Sequence, residues 1–103
     1  MMVLENYVKL APLTEKILKL ERPRIEERTV RDPKTRQPTV KRAWVADVVE
    51  EDYRPVRKIF STLADKLATS LQTAADAGDL ARYRVGITWY PADYATEYRI
   101  RLI

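Results

Sequence analysis

Residues 21–52, ERPRIEERTVRDPKTRQPTVKRAWVADVVEED, decide the fold of this chain. Two stretches of β-forming residues flank a turn at Asp32-Pro33-Lys34-Thr35-Arg36-Gln37-Pro38. Proline presets φ and the preceding aspartate can accept from backbone amides that follow it, so this segment predicts a hairpin loop. The first strand starts near Glu15, places Ile17 opposite Leu18 and Leu20, meets Pro23, and continues through Ile25–Val30. Proline removes a ladder donor and marks an edge, a bulge or a bend. The second strand covers Thr39 to Glu50. One face carries Arg42, Trp44, Ala46 and Val48; the other carries Lys41, Ala43, Val45 and Val49, with Asp47 as its odd member. Both faces are partly apolar, which predicts either cover on both sides or an apolar face offered to a ligand.

Working outward, Asp32 is the only acid between Arg28 and Arg42, against six cations: Arg28, Arg31, Lys34, Arg36, Lys41 and Arg42. The helix region from Ser61 to Asp79 reverses the balance, with Asp65, Asp76 and Asp79 against Lys66. The formal net charge of +4 is mild, but its concentration on one hairpin is the footprint of a phosphate binder. A solvated hairpin tip would carry the same charge. Glu50-Glu51-Asp52-Tyr53-Arg54-Pro55 is the next turn, and Val56–Phe60 a short third strand. Ser61 or Thr62 is positioned to cap a helix in which Leu63, Leu67 and Leu71 form one apolar stripe, and Gly78 is placed to end it. Strict alternation then predicts a fourth strand over Ala81–Tyr90 and a fifth over Tyr94–Ile103, joined by Pro91-Ala92-Asp93. Arg82, Arg84, Arg99 and Arg101 would line the outer surface of that closing hairpin. Residues 1–13 are weakly patterned and form a candidate arm on a single domain spanning 1–103.

Composition excludes much chemistry. The chain has 103 residues and contains neither cysteine nor histidine, which removes thiols, disulfides and the commonest general base and metal ligand. Its two glycines, Gly78 and Gly86, cannot build a phosphate-cradling loop. Asp47 is expected to pair with a neighbouring arginine, and the acidic turn to be solvated. A non-enzymatic protein without metal or cofactor is therefore expected. No apolar run is long enough for a bilayer and the N-terminus lacks signal-peptide character, which predicts a soluble, cytoplasmic protein that does not engage membranes. Few Asn and Gln alongside abundant Arg lean toward a thermophile.

The charged hairpin over 21–52, the helix STLADKLATSLQTAADAG (61–78) and the closing hairpin YRVGITWYPADYATEYRIRL (83–102) together resemble small OB-fold single-stranded-DNA-binding proteins of archaeal and phage type. The likeness covers about residues 14–103 and lies in element order, since OB-folds carry no fixed signature. It implies a mostly β, five-stranded Greek-key barrel of order β-β-β-α-β-β, partly open. The binding face would lie on the second and third strands, between the first and last hairpin loops, and the helix would plug one end.

Single strands are held by a cationic groove and by aromatic faces on which bases stack. The candidate ligand-contacting residues are Arg28, Arg31, Lys34, Arg36, Lys41 and Arg42 on the hairpin, with Trp44 beside them. Tyr53 and Arg54 at the second turn, Arg57 and Lys58 before Phe60, and Tyr90 and Tyr94 around the last turn complete the set. Trp89, Tyr83 and Tyr98 alternate with aliphatic residues and are expected in the core, as is Phe60. The expected partner is a single-stranded nucleic acid, DNA before RNA. The alternatives are an RNA-binding protein, or a small homodimeric interaction module with no nucleic-acid ligand.

Overall fold

A computed structural model describes residues 6–92 and 96–103. The protein is mostly β: five antiparallel strands form one sheet, namely β1 (Lys16–Arg31), β2 (Pro38–Glu51), β3 (Arg54–Thr62), β4 (Val85–Tyr90) and β5 (Glu97–Leu102). Their spatial order is β3-β2-β1-β4-β5. Three hairpin-linked strands with a fourth returned beside the first make the Greek-key arrangement. Two helices, α1 (Asp65–Asp76) and the single turn α2 (Asp79–Arg82), stand between β3 and β4 in the chain. The sheet is not closed. β3 and β5 are the two edges, and among the described residues no strand pairing joins them, so the sheet is open.

β1 is continuous in sequence but broken in register. Its pairing with β2 shifts between Glu21 and Arg24, around Pro23, and Arg22 takes the left-handed φ of 52°. The proline thus sits where no ladder donor is required, and the bulge bends β1. Below the bend β1 pairs with both β2 and β4; beyond Ile25 β1 and β2 run on alone as a ribbon, because β3 ends at Thr62 opposite Trp44, the partner of Ile25.

The core lies against one face of the sheet. Leu18 and Leu20, Trp44, Ala46 and Val48, Phe60, and Val85 and Ile87 meet Leu67, Leu71 and Ala74 of α1. The helix buries these three because they fall at i, i+4 and i+7 on one stripe. Trp44 and Phe60 meet edge to face, with ring centroids 6.5 Å apart. β2 has cover on both sides, for Ala43 and Val45 of the opposite face are as inaccessible as Trp44 and Ala46.

Three local expectations are corrected. The helix begins at Asp65 rather than at Ser61 or Thr62: the Thr62 hydroxyl accepts the Ala64 N–H at 3.1 Å, which turns the chain before the first helical residue. Leu63 therefore falls outside the helical stripe and is 47% exposed. The fourth strand begins at Val85, not Ala81, because 79–82 wind into α2 after Gly78 reverses the chain at φ 80°. Tyr83 is consequently a surface residue, not a core one.

Residues 6–13 cross the molecule as an arm. Ile59 of β3 donates to Asn6 and accepts from Val8, each at 2.9 Å, and Leu13 donates to the Trp89 carbonyl at 2.9 Å. The arm so ties the outer edge of β3 to β4, and Val8 and Leu10 pack against the core.

Candidate nucleic-acid interface

The hairpin loop is shaped by its one acid. Asp32 accepts the backbone N–H groups of Lys34 at 2.7 Å and Thr35 at 3.3 Å, while its main chain exchanges bonds with Gln37 and Arg36. The carboxylate is turned into the loop's own backbone and pairs with no side chain there. Arg31, Lys34, Arg36, Lys41 and Arg42 are exposed and form no ion pair among the described residues. Arg42 stands opposite Glu27 in the register, yet the two do not come within salt-bridge distance. Residues directly opposite share a face, so Arg31 and Arg42 lie on one side of the ribbon with the exposed Ile25 and Val40. Arg28 and Lys41 lie on the other.

The body of the sheet is different, because most of its cations are engaged. Asp47 joins Arg22 and Arg24, and at the base of the ribbon Glu26 joins Arg24 at 2.7 Å and Arg28 at 3.2 Å. Arg28 also stands 5.8 Å from the Tyr7 ring of the arm. Lys58 donates to Glu51 at 2.6 Å, Lys16 to Asp52 at 3.1 Å, and Arg101 clasps Glu15 with two nitrogens. Lys19 donates to the carbonyls of Leu80 and Ala81. Partial burial works to raise the Asp47 carboxyl, but the hydrogen bonds from Arg22 and Arg24 outweigh it and hold the group below its ordinary value. The Ile17 N–H and Lys16 lower Asp52, and Arg101 lowers Glu15. Asp47 thus has the arginine partners anticipated for it.

The proposed ligand-contacting residues do not form one cluster. Trp44 is corrected outright: it is 1% exposed, lies between α1 and Phe60, and donates its indole N–H to Gln72 at 3.0 Å. It offers no ring face to a ligand. Phe60 is in the core as expected, and Trp89 and Tyr98 are half-buried. Arg28 and Lys58 are half-buried and paired, whereas Arg54 and Arg57 are exposed without an ion pair among the described residues. Tyr53 is exposed and Tyr90 half-buried; Tyr94 lies outside the described residues. Tyr53 and the hairpin loop stand at opposite ends of the 14-residue β2.

Two ring contacts were not anticipated. The Arg84 guanidinium lies 5.0 Å from the Tyr53 ring centroid and that of Arg99 lies 4.9 Å from Tyr90. The second was readable from hairpin register, since Tyr90 and Arg99 are diagonal neighbours on one face. The first joins elements far apart in the chain and leaves no local signal. A cleft of about 470 Å³ opens between the start of α1 and the Trp89–Tyr98 pair, lined also by Asp65, Lys66 and Glu97. Among the described residues no group of three acidic side chains converges to hold a metal ion, and no helix is long and apolar enough to cross a membrane. Comparison of the chain with family models, with curated proteins and with solved structures gave no match.

Proposed function

We propose that the protein is a non-enzymatic single-stranded nucleic-acid-binding protein, with single-stranded DNA as its ligand, built on a partly open OB-like barrel. One observation carries the reading. Most cations on the sheet body are matched by carboxylates or carbonyls, while five on the β1–β2 ribbon are exposed and unmatched. Unmatched cations on a projecting element displace condensed counterions from a polyanion at least cost, because no internal pair must break first. The bent β1, paired with both β2 and β4, supports the barrel reading, as does a helix that follows β3 and precedes β4 in the chain and packs on the core.

The test is fluorescence anisotropy of labelled oligo-dT, the matched RNA and the matched duplex at two salt concentrations. The reading expects tighter binding of the single strand than of the duplex, and affinity that falls steeply with salt. Absent binding, or equal binding of duplex at low salt, overturns it. Preference for RNA over DNA overturns the choice of ligand.

A further inference from the structure

The connection between β2 and β3 is a two-residue turn, Asp52-Tyr53, because Glu51 pairs directly with Arg54. Both turn residues have left-handed φ, 51° and 68°. That is the backbone of a type I′ hairpin turn, whose second position is ordinarily glycine. A tyrosine there is strained, since its Cβ crowds the backbone at positive φ. Asp52 fixes the turn by accepting the Ile17 N–H at 3.1 Å and the Lys16 ammonium at 3.1 Å. The ring that results is not used for packing: Tyr53 is 55% exposed. Beneath it lies the Arg84 guanidinium, itself held by Glu50 at 3.0 Å. Arg54, next in the chain, is exposed and without an ion pair among the described residues.

We infer that Tyr53 is a stacking platform for an unpaired nucleobase. Arg84 stands against the ring, more than half of the residue stays exposed, and Arg54 is placed for the adjoining phosphate. The inference rests on the nucleic-acid reading above and adds to it a second contact region, at the end of β2 remote from the basic loop. A strained, exposed aromatic beside a fixed cation meets the requirement for sequence-tolerant stacking: a ring held in place before the base arrives.

The test compares wild type, Tyr53→Gly and Tyr53→Phe for binding of a long oligo-dT, with circular dichroism as a check on the fold. Glycine suits the turn better than tyrosine does, so the fold survives the substitution. Tyr53→Gly is expected to weaken binding about 5- to 150-fold, the range of one lost base stack, and Tyr53→Phe to bind as wild type does. Undiminished binding by Tyr53→Gly overturns the platform and leaves the proposed function standing. Equal losses in both variants assign the effect to the hydroxyl and overturn stacking. Failure of the wild-type protein itself to bind single strands overturns the proposed function, and the platform with it.

Discussion

The indole N–H of Trp44 meets the Oε1 of Gln72 at 3.0 Å, and the same amide donates to Asp76 at 2.8 Å. The middle of β2 is thereby fixed to one face of α1 through the largest buried side chain. Gln72→Leu leaves a buried indole donor without a partner and is expected to destabilise the fold by about 1–3 kcal/mol. Urea denaturation followed by tryptophan fluorescence measures it. Affinity for oligo-dT is expected to stay unchanged, because Trp44 touches no ligand.

Gly86 is required by a crossing side chain. A Cβ there would collide with the Glu15 carboxylate, which passes over β4 to reach Arg101. Gly86→Ala is expected to displace that carboxylate and destabilise by up to about 1 kcal/mol, the worth of a largely exposed ion pair. The double variant Gly86→Ala/Glu15→Ala is expected to lose less than the sum of the two single changes. A double-mutant cycle in urea checks this; strict additivity would show that the two positions do not meet.

Acid should weaken the fold. Asp47, Asp52 and Glu15 have folded-state values below their ordinary ones, so the unfolded chain binds more protons and stability rises with pH. Their contribution is complete above the ordinary carboxylate range near about pH 4 and is lost as pH falls through the lower folded values. Melting temperatures recorded from neutral pH downward are expected to drop in that window. Asp47→Asn is expected to melt lower at neutral pH and to lose less on acidification.

The exposed loop cations should act through counterions rather than through the fold. Lys34→Gln/Arg36→Gln removes two charges with no internal partners, so stability is expected to change by less than about 0.5 kcal/mol. The slope of log affinity for oligo-dT against log salt is expected to flatten by about 0.7 for each phosphate no longer neutralised. An unchanged slope, measured by anisotropy, would remove these residues from the interface.

How far the sequence discloses this architecture depends on how local each cause is. The Asp32-Pro33 turn, the bend at Pro23 and the Leu67/Leu71 stripe each arise within a few residues, and all were legible. Trp44 was not, because alternation only places it opposite Val45. Whether its ring is covered depends on a glutamine 28 positions later, delivered by α1. Tyr83 alternates with Val85 and Ile87 as a strand residue would, but the chain coils at Asp79 and delays the strand. Closure of the sheet depends on how its two edges curve toward each other, which no residue pattern encodes. Which cations remain available was equally hidden, since Arg101 finds its carboxylate at Glu15, across nearly the whole chain.

The arm has a protective consequence. By taking both main-chain hydrogen-bonding groups of Ile59, Asn6 and Val8 occupy one rail of the sheet that another molecule could otherwise extend. An open sheet thus has one margin blunted by its own leading segment, at the one β3 residue whose outward N–H and carbonyl are already taken.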